Sequence, residues 1–217
     1  MTDMLDPDRD CALCPRLHEF IAQQRKSHAD WYNAPVRTFY PGGGPPAVRF
    51  LIVGLAPGLR GANRTGRPFT GDFAGDLLYG TLRKFGFSSG TFDARSDDGV
   101  ELIATAITNA VRCVPPENKP VGAEINTCRR YLSASLDAMT GLSAILTLGK
   151  IAHDSTIRTL GGRVSAHPFR HNARTNVGGY AVFSSYHCSR YNTNTGRLTE
   201  QMFVDVFQNI ADYLGPS

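Results

Sequence analysis

Apolar positions along the chain fall into two rhythms. Short unbroken runs rich in β-branched residues occupy 48–54, 102–108, 144–148 and 180–185. Runs of that length, bounded by glycine and polar residues, read as buried parallel strands. Between them apolar residues recur at helical spacing. Leu77, Leu78, Leu82 and Phe85 mark a helix over 75–85, and Ile125, Cys128, Tyr131, Leu132, Leu136 and Met139 mark one over 123–139. Further helices are predicted at 15–26, 150–160 and 200–214, the last capped by Thr199. Residues 88–99, 117–122 and 190–197 read as loops, 163–178 as a loop or short strand, and 1–10 as frayed. The Pro/Gly cluster at 41–46 is an irregular connection. Strands alternating with helices predict one α/β domain over residues 1–217, with a mainly parallel four-stranded sheet. No fixed-period repeat is evident.

In open α/β sheets ligands bind beyond the carboxyl ends of the strands. Three such ends carry suggestive residues. The first strand runs into Gly54-Leu55-Ala56-Pro57-Gly58, where the glycines let backbone approach a ligand closely. A polar loop with Asn63, Arg64, Arg67, Phe69 and Asp72 follows. The second strand delivers Asn109, and the fourth delivers His187. Taken singly, each has a plainer reading: a strand-to-helix turn, a core phenylalanine, a turn asparagine, a helix-capping aspartate, a hydrogen-bonded histidine. Their shared position at strand tips is the stronger signal.

Composition narrows the field. No apolar run approaches the ~20 residues that span a bilayer, and the acidic start MTDMLDPDRD lacks the apolar core of a signal peptide. The expectation is a cytoplasmic protein. A net charge of +4 is compatible with a nucleic-acid partner without requiring one. The arginines at 60, 64 and 67, and at 163, 170 and 174, fall in expected loops. They are either a solvated surface or phosphate contacts.

Five cysteines are present. In a reducing compartment disulfides are not expected. Cys11 and Cys14 have the C-x-x-C spacing of a metal clasp, whereas Cys113 and Cys128 are too far apart for a second one. Zinc and a [4Fe–4S] cluster both accept four thiolates, and two small core cysteines are the competing reading. Spacing leaves these open.

The motifs themselves resemble a known family. Gly54-Leu55-Ala56-Pro57-Gly58 followed by Arg64-Thr65-Gly66-Arg67-Pro68-Phe69-Thr70-Gly71-Asp72 is similar to the first motif of the family-5 (B-type) uracil-DNA glycosylases. Thr108-Asn109-Ala110-Val111-Arg112-Cys113-Val114-Pro115-Pro116 resembles their central motif, and His187-Cys188-Ser189 with Asn192-Thr193 and Gly196-Arg197-Leu198-Thr199 resembles the last. The likeness runs from Cys11 to the final helix. It implies a three-layer αβα domain and a [4Fe–4S] cluster on Cys11, Cys14, Cys113 and Cys128. Cys188 departs from the family pattern, which has proline after the histidine; it reads as a packed residue.

The resemblance also implies roles. Phe69 would stack on an extruded base, and Asn109 would meet the N3–H and O4 edge of uracil. His187, aided by backbone amides of Gly54, Leu55, Ala56, Pro57-Gly58, would stabilise charge developing on O2. Asp72 would orient water or stabilise the sugar cation. Arg64, Arg67, Ser189, Arg190, Tyr191 and Asn192 would contact DNA, with Arg190 or Tyr191 filling the gap left by the base. The implied protein is a monomeric, monofunctional glycosylase of base excision repair acting on double-stranded DNA that contains uracil or other deaminated or modified bases. Competing readings are a damaged-base glycosylase with little uracil activity and a non-catalytic lesion binder.

Overall fold

The computed structural model describes residues 5–215. Helix α1 (Pro15–Ser27) starts on a proline, whose fixed φ suits a first turn. Strand β1 (Phe50–Gly54) leads into the short helix α2 (Ala62–Thr65) and then α3 (Phe73–Lys84). A two-residue ladder joins β2 (Ser88–Ser89) to β3 (Glu101–Leu102). Strand β4 (Thr105–Asn109), helix α4 (Gly122–Ala138), strand β5 (Ala144–Leu148) and helix α5 (Lys150–Thr159) follow. The chain closes with β6 (Ala173–Val177), β7 (Tyr180–Ser185), the short helix α6 (Arg190–Asn194) and α7 (Glu200–Leu214).

The main sheet has the order β4-β1-β5-β7-β6, with β6 alone antiparallel. It therefore has five strands, not the four expected. The additional strand, ARTNV, lies in the 163–178 segment that reads as a loop or short strand; it is half-exposed and polar, so it carries no apolar run to decide between the two. It pairs with β7 through Gly178-Gly179, both at positive φ, the two-residue hairpin turn that glycine permits. Two other expectations shift. The loop at 190–197 contains α6, capped by Ser189. Residues 5–10 are tied down, since Asp6 bonds Thr38 and Arg112, and Asp10 pairs with Arg25. Residues 1–4 of the segment expected to fray, and the last two residues of the 1–217 domain, lie outside the described residues.

Alternating strand residues feed two cores. Phe50, Ile52, Ile107, Leu146 and Phe183 pack against Leu78 and Leu82 of α3 and Phe203, Val206 and Phe207 of α7. Leu51, Val53, Ala106, Ile145 and Val182 pack against Leu132 and Leu136 of α4 and Ala152 and Ile157 of α5. Strand side chains point alternately to opposite faces, so one sheet serves both. This is the three-layer αβα arrangement. A third, smaller core joins Leu17 and Ile21 of α1 to Val111, Val114, Cys113 and Cys128.

Candidate active site

The parallel ladder brings the carboxyl ends of β1 and β4 side by side, pairing Gly54 with Asn109. The ladder continues past the strands, because Ala110 and Val111 donate their amides to the carbonyls of Gly54 and Leu55. That extension fixes the backbone just beyond Asn109. The Asn109 side chain is buried, and no described residue hydrogen-bonds its amide. It faces a cavity of about 610 Å3. Leu55, Ala56, Pro57 and Gly58 form one wall, Phe69, Asp72, Phe73 and Ala74 another, and His187, Ser189 and Arg190 a third.

Phe69 reaches this cavity through a strained backbone, with φ at 52°. A left-handed conformation is unusual for a bulky residue and needs support from its surroundings. That support comes from Arg67. Its guanidinium bonds both oxygens of Asp98 at 2.7 Å and donates from Nε to Thr70 Oγ1 at 2.8 Å. Phe39, Tyr79 and Phe92 enclose it, with ring centroids 5.5, 5.1 and 5.6 Å away. Tyr79 donates its hydroxyl to the Pro68 carbonyl at 2.8 Å, next to the strained residue. Burial alone would raise the pKa of Asp98. The bonds from Arg67 and from the amides of Asp93 and Val100 outweigh it and hold the carboxyl well below the usual range. Arg67 is thus an internal clamp. The expectation that it touches phosphate is corrected, because its charge is buried and satisfied.

Asp72 stands at the N-terminal boundary of α3, its carboxyl turned toward the first-turn amides of Ala74 and Gly75 without closing a capping hydrogen bond of good geometry. Its Oδ1 is buried without a partner. The carboxylate lies against Gly61 and Gly58, where a Cβ would meet Oδ2. Burial raises its pKa, and the amides of Ala74 and Gly75 pull it part of the way back. A half-buried carboxyl with one shielded, unbonded oxygen, at the wall of a cavity, is poised to act on something that enters.

His187 follows β7 at the turn Tyr186-His187. Its imidazole lies 5.7 Å from the Phe69 ring, with 26° between the planes. Desolvation lowers its pKa to about 4, so it is neutral at physiological pH and offers one N–H. Asn192 was expected on DNA. Its side chain instead donates to the His187 carbonyl at 2.8 Å, fixing the turn that presents the histidine. Ser189 accepts from the Asn192 amide as the α6 cap while lining the cavity. Arg190 is exposed, with its guanidinium 5.3 Å from the Phe73 ring, and Tyr191 beside it is 72% exposed. Arg64 is exposed on α2, its Nε on the Arg60 carbonyl. Cys188 is fully buried, its thiol directed at the Ala74 carbonyl.

Six cavity residues escaped the sequence reading as site residues: the small or apolar Ala62, Gly71, Phe73 and Ala74, and the polar Arg60, seen only as one of a group of loop arginines, and Asn118, placed in the 117–122 loop. A polar residue after Pro115-Pro116 was the available signal.

Cys11, Cys14, Cys113 and Cys128 line one small pocket with Leu17, Val111 and Tyr131. The Arg112 amide donates to Cys128 Sγ at 3.3 Å. Burial raises the pKa of Cys128 to about 11 and of Cys113 further. Among the described residues, no three His, Cys, Asp or Glu side chains are grouped tightly enough to hold a single metal ion. No described helix is long and apolar enough to cross a membrane.

Residues 41–211 match the model of the uracil DNA glycosylase superfamily. The chain is 44% identical over 202 residues to the type-5 uracil-DNA glycosylase of Thermus thermophilus, covering 90% of each chain. It is 37% identical to that of Pyrobaculum aerophilum, over 93% of this chain and 88% of the relative. A type-4 uracil-DNA glycosylase from Sulfurisphaera tokodaii is 30% identical over 76% of this chain and 72% of its own.

Proposed function

The chain belongs to the uracil DNA glycosylase superfamily, alongside its type-5 enzymes, and on that premise we propose how its residues excise a base. It is a DNA glycosylase, a hydrolase of base excision repair that removes uracil. The observation that carries the reading is the convergence of Asn109, Phe69, His187 and Asp72 on one cavity at the strand tips.

A base within duplex DNA is unreachable, so the nucleotide is flipped into the cavity. Phe69 provides a flat face for it, a contact worth ~1–3 kcal/mol. The uncommitted amide of Asn109 donates to O4 and accepts from N3–H. The C1′–N1 bond then breaks and its electron pair leaves with the base. His187 donates its single N–H to O2, where the negative charge gathers, and needs no proton of its own to lose. Asp72 faces the cation left on the sugar. It takes a proton from the water that adds to C1′, and an abasic site remains. No lysine is among the described residues lining the cavity, which supports hydrolysis without a lyase step. Arg190 or Tyr191, both exposed, fills the vacated stack, and Arg64 meets phosphate.

Ala56 leaves space in the cavity wall where a larger side chain would restrict the base. We extend the reading to other deaminated or modified bases on that ground. The substrate is double-stranded DNA and the enzyme acts as a monomer.

The four cysteines suit a [4Fe–4S] cluster. Their convergence on one pocket brings four thiols together, the donor set that such a cluster takes. Cys11 and Cys14 lie just before α1, Cys113 just after β4 and Cys128 on α4. A cluster there would be structural, cross-linking α1 to the segment that follows Asn109.

Product analysis on a duplex oligonucleotide with a single uracil tests the function. Free uracil and an alkali-labile, otherwise intact strand are expected. A strand break without alkali, trapped by borohydride, would overturn the monofunctional assignment. Duplexes left intact at uracil would overturn the activity.

A further inference from the structure

His171 stands outside the cavity lining, yet it holds the turn that presents His187. Its Nδ1 accepts the amide of Tyr186, the residue before His187, at 3.2 Å. A backbone amide only donates, so Nδ1 is bare and the ring is neutral, with its proton on Nε2. Burial keeps it so, lowering the pKa below its ordinary value of 6.5 against the pull of Asp205 and the Met202 carbonyl on α7. The ring also stacks on Tyr186, with centroids 4.9 Å apart and 9° between the planes. The Arg197 guanidinium lies 4.7 Å from the same tyrosine ring. His171 is itself fixed through its neighbour. The Asn172 amide donates to the Ser184 carbonyl at 2.8 Å, and the Asn172 side chain accepts from Asn209 of α7 at 2.9 Å. Beyond the turn, Asn192 donates to the His187 carbonyl at 2.8 Å. The backbone around His187 is therefore tied on both sides, by His171 before it and Asn192 after. Desolvation alone shifts the His187 imidazole, and no described side chain hydrogen-bonds it. Its aim rests on the turn and on the Phe69 face beside it.

We propose that His171 is a positioning residue: through the Tyr186 amide it sets where the His187 imidazole points into the cavity. This deepens the glycosylase reading and rests on it. His187 acts only when its single N–H meets O2 of the extruded base as charge gathers there. Such a bond weakens steeply once its angle departs from linear. A misplacement of about 1 Å costs up to ~100-fold in rate. Replacing His171 leaves the Tyr186 amide without an acceptor, so the turn has cause to move.

The test compares the wild type with His171→Asn, His171→Phe and His171→Ala. Asparagine carries Oδ1 where histidine carries Nδ1, so it restores an acceptor and gives up the stack on Tyr186. Phenylalanine keeps the stack and has no acceptor. Three readouts are taken on the intact protein: single-turnover release of uracil, affinity for a duplex with a tetrahydrofuran abasic analogue, and hydrogen exchange of the Tyr186 amide by NMR. His171→Phe and His171→Ala are expected to release uracil about tenfold or more slowly, and their Tyr186 amide to exchange faster. His171→Asn should stay within about threefold of the wild type in both. Affinity for the abasic duplex should hold in all three, since that duplex offers no O2 to meet. A side chain that only fills space would give the opposite order, with His171→Phe better than His171→Asn. That order, unchanged Tyr186 exchange, or a loss of abasic affinity as large as the loss of rate would overturn the proposal. Should His171→Phe fail to fold by circular dichroism, His171→Ala against His171→Asn carries the same contrast. A wild type that frees no uracil would overturn the glycosylase reading, and the exchange comparison would still decide whether His171 holds the turn.

Discussion

The Asn109 side-chain oxygen and the ring edge of Phe69 close over Gly54 so tightly that a methyl on that glycine would meet both. The φ of Gly54 is ordinary, since only positive values fall in the left-handed region and none is found there. The glycine is needed for space. Gly54→Ala is expected to push Phe69 and Asn109 apart, at a cost of about 1–3 kcal/mol in stability and a loss of about tenfold or more in uracil release. Thermal unfolding and single-turnover kinetics check the two effects separately.

Asp72 makes opposite demands on stability and activity. Its raised pKa means the folded protein binds that proton more tightly than the unfolded chain. The carboxyl therefore destabilises the fold progressively as pH rises past its ordinary value of 3.8 and through its raised folded value. Asp72→Asn should raise the Tm at pH 7 while lowering the single-turnover rate by about 100-fold. The wild-type rate should fall on the acid side as Asp72 takes up its proton, and the variant should lose that limb. His187, lowered to about 4, stays neutral at every pH above that value and so adds no titration near neutrality.

The Arg67 clamp should behave as a structural pair. Removing one partner of a buried ion pair costs about 3–5 kcal/mol, because the other charge is stranded. Arg67→Ala is expected to lose that much in denaturant unfolding. Arg67→Lys keeps the charge but not the two-pronged grip on Asp98 or the Thr70 bond, and should recover only part of it. At equal salt its affinity for undamaged duplex should match the wild type, because Arg67 is not at the surface.

Replacement of Cys11, Cys14, Cys113 or Cys128 by serine is expected to lower bound iron and sulfide, remove absorbance in the visible blue and destabilise α1. Cys188→Ser should keep the iron, since that thiol packs beneath α3 at the Ala74 carbonyl. Iron and sulfide assays on all five variants make the comparison. Retention of full iron by any of the first four would overturn the ligand set.

Much of the scaffold was legible because burial writes itself into composition. The strands at 144–148 and 180–185 and the helix at 200–214 have the bounds that their apolar runs predict. Strand β6 was legible only as one of two readings of 163–178, since an edge strand with one wet face carries no such run, although its Gly178-Gly179 turn was a usable mark. Among site residues, Arg67 and Asn192 look like surface polar groups in the chain. Only their partners, Asp98 and the His187 carbonyl, reveal them as supports.

The sequence by itself determined the layered α/β fold, the strand tips where chemistry gathers and, through its motifs, the family. Those features are local: periodicity, turn residues and short ordered strings. Tertiary structure alone decided which polar side chains face the cavity and which are spent inside the protein. It also decided that Asn118 lines the cavity and that Asp72 keeps one shielded oxygen unbonded in its wall. The physical reason is that burial and pairing depend on segments far apart in the chain. Arg67 meets Asp98 and Arg16 meets Glu124 only after the sheet and helices have packed.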